Sequence, residues 1–242
     1  MRATPTVAAL AVVLLLATGC GKQNIDTGSE GLVGKSSALA FARAVNLRAG
    51  DLEGAPAGDA ERDVSHTSAA SARFARCAGG TDPQRRLINV RSVALRLPGA
   101  GASLAEFKSS VEVMPSAALA ARTFAADSSS RGRACLSRLL PGVLGKTGAR
   151  TKSISSLPAV KLANGQRGFG VRLVLALRQR SPTGQLVSLP VYLDVYELLQ
   201  GPAEIGLTSS RTLRPPPSGV EHELLTLLSE RAARNRALIS RP

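Results

Sequence analysis

The stretch that decides the fold runs from residue 169 to residue 195 and reads FGVRLVLALRQRSPTGQLVSLPVYLDV. Apolar residues occupy every second position from Phe169 to Leu177 and again from Val187 to Val195, as in strands with one buried face. The intervening residues 181–184 are Ser-Pro-Thr-Gly, which are residue types that form turns. The pattern therefore predicts a long antiparallel hairpin with one apolar face.

Weaker patterns flank this hairpin. Alternating apolar residues predict further strands at 87–97, 107–113, about 152–160 and 203–207. Apolar residues three or four positions apart predict helices at 37–46 and about 220–238. A glycine pair at 79–80 marks the end of a short helix at 67–77, and alanine-rich sequence favours a helix at 117–126. A second helical segment at about 131–140 should stop at Pro141-Gly142. We therefore expect one α+β domain over residues 36–242, with an antiparallel sheet of about five strands and helices mainly on one face.

The polar face of the hairpin carries the residues most suited to contact a ligand. Arg172 and Arg178 lie on its first strand, and Tyr192, Asp194 and Tyr196 lie on its second. Two tyrosines flanking an acid could line a ligand groove, because tyrosine offers both apolar area and a hydroxyl group. The same residues could instead lie under a covering helix with Asp194 paired to Arg172, and the sequence favours this second interpretation.

The sequence contains no recognisable catalytic, metal or cofactor motif. His66 and His222 are its two histidines, and the GxSxG, HExxH and P-loop patterns are absent. The glycine-rich run 165–170 precedes a strand rather than joining a strand to a helix, so we interpret it as a turn. We expect a protein that is not an enzyme and that holds no metal or cofactor.

The charge of the chain is strongly basic, with 31 Lys and Arg against 17 Asp and Glu and a formal net charge of +14. Such a charge favours anionic lipid headgroups or acidic glycans as partners. Nucleic acid is disfavoured, because the aromatic residues that stack bases make up only 3% of the chain and tryptophan is absent. A genome of high G+C content also encodes arginine-rich chains, so the basic surface has either a functional or a compositional origin. The acidic residues of one predicted loop should form a solvated segment docked on basic groups: Asp51, Glu53, Asp59, Glu61 and Asp63.

The N-terminus has the features of an export signal. Arg2 precedes an apolar run from Val7 to Ala17, which is shorter than the roughly 20 residues needed to span a membrane as a helix. The residues Ala17-Thr18-Gly19 before Cys20 resemble the bacterial lipobox. This resemblance implies a signal peptide over residues 1–19, a diacylglyceryl group on Cys20, and a tether over residues 20–35 that holds the domain outside the membrane. The alternative is a secreted protein in which Cys20 is incidental.

Two cysteines remain after Cys20 is assigned to lipid. An even pair in an oxidising compartment predicts one disulfide, between Cys77 and Cys135. This bond would join two helical segments on one side of the sheet.

Three stretches taken together resemble a family. They are AVNLRAGDL at 44–52, FKSSVEV at 107–113 and Cys135-Leu136, and they look like parts of actinobacterial cell-envelope lipoproteins. The order of elements is also similar to the extracytoplasmic sensor domains of receptor Ser/Thr kinases, over about residues 36–210. The resemblance implies a binding or sensor-like module for an envelope lipid, glycan or protein. The alternative is an assembly lipoprotein whose basic face lies against anionic lipid or cell-wall polymer.

Overall fold

The computed structural model describes residues 33–58, 62–63, 68–99, 103–144, 149–159, 162, 166–180 and 184–240. The predicted signal peptide, Cys20 and most of the predicted tether therefore lie outside the described residues. Within the described ranges the chain is α+β and its strands are antiparallel, as the sequence predicted. No helix in this part of the chain is long and apolar enough to cross a membrane.

Five α-helices accompany the sheet: α1 (Lys35–Val45), α2 (Ala69–Ala78), α3 (Ala117–Ser128), α4 (Ser130–Leu144) and α5 (Ser218–Asn235). Short 3-10 turns lie at Pro83–Arg85 and Arg236–Leu238. The strands are β1 (Ala57–Gly58), β2 (Arg62–Asp63), β3 (Ile88–Arg91), β4 (Ala94–Pro98), β5 (Leu104–Val113), β6 (Ala149–Ser156), β7 (Arg167–Arg180), β8 (Leu186–Gln200) and β9 (Ala203–Thr212). Their order is β1-β4-β5-β9-β8-β7-β6, with β3 pairing with both β2 and β5.

The sheet has nine strands in the described residues, so the expected count of about five was too low. One reason is a break in the strand predicted at 87–97, whose halves β3 and β4 both pair with β5. At the break, the Ser92 hydroxyl accepts a hydrogen bond from the Ser109 backbone N–H at 2.8 Å and donates one to the Val93 carbonyl at 2.7 Å. The side chain thus replaces a regular backbone partner. The two-residue strands β1 and β2 come from the acidic loop region.

Helices cover both faces of the sheet, so the expectation that they lie mainly on one face was wrong. Residues paired across neighbouring strands share a face. On the face that we call the α1/α5 face, the core includes Phe41, Phe107, Leu198, Ile205 and Leu224. On the opposite face, called the α3/α4 face, it includes Leu140, Leu144, Leu173, Leu175 and Leu193. The physical reason is that β8 carries buried apolar residues on both faces, Leu193 on one and Leu198 on the other.

The fourth helix continues through Pro141 to Leu144, although the sequence predicted that it would stop at Pro141-Gly142. Leu140 and Leu144 are both buried against the sheet, one helical turn apart, and this packing extends the helix beyond the proline.

The predicted disulfide is confirmed: Cys77 of α2 is bonded to Cys135 of α4, with Cα atoms 5.8 Å apart.

The acidic loop docks on a basic residue through Asp51. Arg231 of α5 forms a two-point ion pair with it, with Nη1–Oδ2 and Nη2–Oδ1 distances of 2.6 and 2.7 Å. Glu53 is exposed, whereas Asp59, Glu61 and the side chain of Asp63 lie outside the described residues. The contact ties the chain after α1 to the last turns of α5.

Candidate functional site: buried carboxylates on opposite faces of the sheet

Arg172 and Asp194 form the ion pair that the covering-helix interpretation predicted. They lie directly opposite each other in the β7–β8 register. Arg172 Nε donates to Asp194 Oδ1 at 2.7 Å, and Arg172 Nη2 donates to Oδ2 at 2.5 Å. The Asp194 side chain is fully buried and that of Arg172 is 25% exposed. The hydrogen bonds to Asp194 raise the pKa of Arg172 above its ordinary value.

Helix α5 covers this pair through Glu221, which is 1% exposed. Tyr196 donates its hydroxyl hydrogen to Glu221 Oε2 at 3.1 Å, and Ser209 donates to Glu221 Oε1. Burial raises the pKa of Glu221 to about 7, while the Ser209 hydrogen bond acts in the opposite direction. Burial and the neighbouring Glu221 raise the pKa of Tyr196. We refer to Arg172, Asp194, Tyr196, Ser209 and Glu221 as the α5 cluster, and their contacts hold α5 on the sheet.

The other two predicted ligand residues share this face but lie outside the α5 cluster. Tyr192 is half-buried and pairs with Arg211 of β9, whereas Arg178 is exposed further along β7. Arg150 of β6 is exposed and lies opposite Ala176, so it belongs to the same face. The five predicted residues therefore do not converge on one site. A surface that we call the basic strand face instead combines Arg150, Arg172, Arg178, Tyr192 and Arg211.

A second group of carboxylates lies on the α3/α4 face. Asp127 is in the last turn of α3, Glu197 is on β8 and Glu204 is on β9, and one carboxylate oxygen from each lies within 4.8 Å of the others. Glu112 lies directly opposite Glu204 in the β5–β9 register and is ion-paired with Arg86. We refer to Glu112, Asp127, Glu197 and Glu204 as the acidic cluster.

Burial and mutual repulsion make ionisation of the acidic cluster costly. Desolvation, with the charges of neighbouring carboxylates, raises the pKa of Asp127 to about 7 and that of Glu204 to about 10. The same causes raise the pKa of Glu197 well above its ordinary range, and desolvation raises that of Glu112. Arg86 acts against these shifts but does not cancel them. Glu197 Oε2 and Glu204 Oε1 are buried and have no hydrogen-bond partner.

Glycine at position 132 brings the start of α4 close to Asp127. A Cβ atom there would lie 2.4 Å from the carbonyl oxygen of Ala126 and 2.7 Å from that of Asp127. Any larger residue would therefore push α4 away from the last turn of α3. Gly132 thus helps to fix Asp127 over the sheet.

Sequence reasoning did not find the acidic cluster. Glu112 alternates with the apolar residues of β5 and would face solvent on an uncovered sheet, yet α3 covers this side and the Glu112 side chain is only 15% exposed. A usable signal was present at Glu197, which continues the series of apolar positions Val191, Leu193 and Val195 on the α3/α4 face. A charged residue in an apolar series marks either a strand end or a buried functional group.

Of the two histidines, His222 is exposed on α5 and His66 lies outside the described residues. Comparison with family models and with curated proteins gave no match. The functional inferences below therefore depend on the chain's own residues.

Proposed function

We propose that this protein is a lipid-anchored, non-catalytic module that is displayed outside a membrane and binds an anionic component of the cell envelope. The observation that carries the proposal is the basic strand face, where four arginines and a tyrosine lie on one side of the four neighbouring strands β6 to β9. Phosphate is the anionic group that we expect it to bind, because the planar guanidinium group matches phosphate oxygens in two-point contacts.

Export is supported by two features at separate positions in the chain. The disulfide between Cys77 and Cys135 is of a kind that persists in oxidising compartments. The sequence before Cys20 resembles a lipobox, and residues 20–32, which precede the buried Val33, would reach at most about 45 Å if fully extended. The basic strand face would thus stay within reach of lipid headgroups and of material close to the membrane.

Charge on the basic strand face supports binding of an anion. Arg150 and Arg178 are exposed, whereas the charge of Arg172 is offset by Asp194. Arg211 donates hydrogen bonds to the Ser103 hydroxyl from Nε and Nη2, at 3.3 and 3.2 Å, and these contacts direct its guanidinium group toward the β5 side of β9, away from Tyr192 on β8. The buried acids of this face, Asp194 and Glu221, already have partners. An added anion would therefore meet mainly positive charge.

The same exposed arginines favour a second candidate function. The domain could lie with this face on anionic lipid as a structural or assembly lipoprotein, without taking up a soluble ligand. The two functions differ in whether a soluble phosphate-bearing compound competes with the membrane for the face.

A vesicle-binding experiment tests both functions. A form in which Cys20 is replaced by serine removes the acyl contribution, and binding is compared between neutral vesicles and vesicles with anionic phospholipid. Each surface arginine contributes about 1 kcal/mol to such binding, so Arg150→Glu with Arg178→Glu should weaken it by at least about 30-fold. Arg73→Glu with Arg76→Glu, two exposed positions on α2, is the matched control and should have a smaller effect.

The competition arm uses glycerol 3-phosphate and a soluble anionic glycan. Displacement of the protein from vesicles supports the ligand-binding module, while retention on anionic vesicles supports the assembly role. Equal binding to neutral and anionic vesicles, or no difference between the two double variants, contradicts both.

Intact mass tests the anchor separately. The full chain from its own membrane fraction should have the mass of residues 20–242 plus acyl groups, and should gain the mass of two hydrogen atoms when the disulfide is reduced. An unlipidated mass would contradict the anchor, and no gain would contradict the disulfide.

A further inference from the structure

We propose that the acidic cluster binds one divalent cation of the calcium class, with Asp127, Glu197 and Glu204 as its ligands. This inference concerns the opposite face from the basic strand face and does not depend on the proposed function. It rests on geometry, on buried oxygens without partners and on charge balance.

The three carboxylates come from elements that are separate in sequence and meet in the fold. Their oxygens lie within 4.8 Å of one another, a spacing that a single cation can bridge. Across the strands, Glu197 lies opposite Gly206, and Gly206 lies opposite Ser110. A Cβ at Gly206 would approach Ser110 Oγ to 2.7 Å, so the glycine lets this hydroxyl extend beside the cluster as a further oxygen.

Two oxygens in the cluster point to a missing partner. Glu204 is only 7% exposed, and its Oε1 has no hydrogen-bond partner. Glu197 Oε2 is likewise buried without one. Buried carboxylate oxygens are normally hydrogen-bonded, paired with a cation or bound to a metal ion, because burial of an unpaired charge costs several kcal/mol. A cation between these oxygens would satisfy both.

Charge balance favours a divalent ion. Glu112, Asp127, Glu197 and Glu204 place four carboxylates around Arg86, whose guanidinium group is already in contact with Glu112. One divalent cation would reduce the remaining negative charge of the ionised cluster from three to one. Asp127 also lies in the last turn of α3, where the helix dipole disfavours negative charge and favours a cation.

The chemistry of the ligand set favours Ca²⁺ over Mg²⁺. Oxygen ligands suit hard cations, and three carboxylates that bind through both oxygens supply the six ligands that Ca²⁺ accepts in flexible geometry. Mg²⁺ requires a more regular octahedron and tends to keep several water molecules, which a buried site accommodates poorly. Bound Ca²⁺ would fasten α3 to β8 and β9.

Calorimetric titration and thermal unfolding test the site. The full chain is purified, stripped with a chelator and titrated with CaCl₂ or MgCl₂. We expect one Ca²⁺ per chain and a rise in Tm of about 5–10 °C when Ca²⁺ is a hundredfold above its Kd. Mg²⁺ should produce a smaller rise.

Three variants localise the effect. Glu204→Gln should abolish the Ca²⁺-dependent rise in Tm. Glu197→Gln removes another ligand of the site and should also abolish the rise. Glu221→Gln, which changes a buried carboxylate on the other face in the same way, should keep the rise. Glu204→Gln should fold in chelator, because replacing an unpartnered buried carboxylate with a neutral group removes a cost of burial.

The proposal is overturned if the stripped chain binds no Ca²⁺ and its Tm does not change. It is also overturned if Glu204→Gln and Glu197→Gln retain the rise of the unaltered chain, since the cation would then bind elsewhere. If no Ca²⁺ binds, the carboxyl groups of the acidic cluster are neutralised by protonation and not by a cation.

Discussion

The two faces of the sheet each bury carboxylates, and they do so in opposite ways. On the α1/α5 face, both oxygens of Asp194 accept from Arg172, and Glu221 accepts from Tyr196 and Ser209. On the α3/α4 face, Glu197 and Glu204 each bury an oxygen without a partner. The first arrangement is complete within the chain and acts to position α5. The acidic cluster leaves two buried carboxylate oxygens without a partner, and this difference makes it the candidate site for a bound cation.

The helix dipoles also act differently on the carboxylates of the two faces. Glu221 lies in the first turn of α5, where the helix dipole stabilises a negative charge, whereas Asp127 lies in the last turn of α3. The α3/α4 face also depends on a covalent link, because α2 and α4 are joined by the disulfide. We therefore expect perturbations of the two faces to have separable effects.

The largest expected effect comes from removing the disulfide. Cys77→Ser with Cys135→Ser opens a link between residues separated by 58 positions, and the loop-entropy model assigns such a link about 4 kcal/mol. We expect the free energy of unfolding, measured by urea denaturation, to fall by about that amount. Hydrogen exchange should accelerate first in α2 and α4, while α1 and α5 keep their protection.

Reduction of the unaltered chain is the control for effects of the serine substitutions themselves. If protection were lost equally in α1, α5, α2 and α4, the two faces would unfold as one unit and the proposed independence would be wrong.

The next largest effect concerns the ion pair of the α5 cluster. Arg172→Leu leaves Asp194 buried without its ion-pair partner, and removing one partner of a buried pair costs about 3–5 kcal/mol. Because the Arg172 side chain is 25% exposed, we expect a smaller loss of about 2–3 kcal/mol in the free energy of unfolding. Urea denaturation at fixed pH measures it.

Arg178→Leu is the matched control on the same strand, and because Arg178 is exposed its effect should stay within about 0.5 kcal/mol. Asp194→Asn combined with Arg172→Leu should recover part of the loss, since the unpaired charge is then gone. Equal losses for Arg172→Leu and Arg178→Leu would contradict the structural role of the pair.

The sequence predicted the elements that depend on local patterns, together with the disulfide that follows from the cysteine count. The hairpin of β7 and β8, the α3 helix and the disulfide were all found at or near their predicted positions. The number of strands and the placement of helices on both faces were not, because they depend on pairing between distant segments. Leu193 and Leu198 of β8 show this: their burial on opposite faces follows from which helices cover each end of the strand.

The candidate sites illustrate the same limit. The pairing of Arg172 with Asp194 could be predicted because the two residues lie opposite each other in one hairpin. The acidic cluster could not, since Asp127, Glu197 and Glu204 meet only after α3 packs on β8 and β9. Single acids in separate elements carry no local pattern, except where one of them interrupts an apolar series, as Glu197 does.

The last expected effect is a pH dependence that isolates the α5 cluster. The pKa of Glu221 is raised to about 7 in the fold from an ordinary value of 4.5, so the folded chain holds this proton more tightly than the unfolded chain. Its contribution to stability is therefore present below about pH 4.5 and is lost as pH rises to about 7. Glu221→Gln cannot titrate, so the stability of the unaltered chain relative to this variant should decline between pH 5 and pH 7 and stay constant above about pH 8.

Thermal unfolding of both proteins across that range, in chelator, measures the difference directly. Glu223→Gln makes the same change at an exposed neighbouring position, and its difference from the unaltered chain should vary much less with pH. Because the acidic cluster is common to all three proteins, its own titration cancels in these differences. A difference for Glu221→Gln that rises with pH would mean that Tyr196 and Ser209 stabilise the charged carboxylate more than burial opposes it, and the α5 cluster would then favour ionisation instead of resisting it.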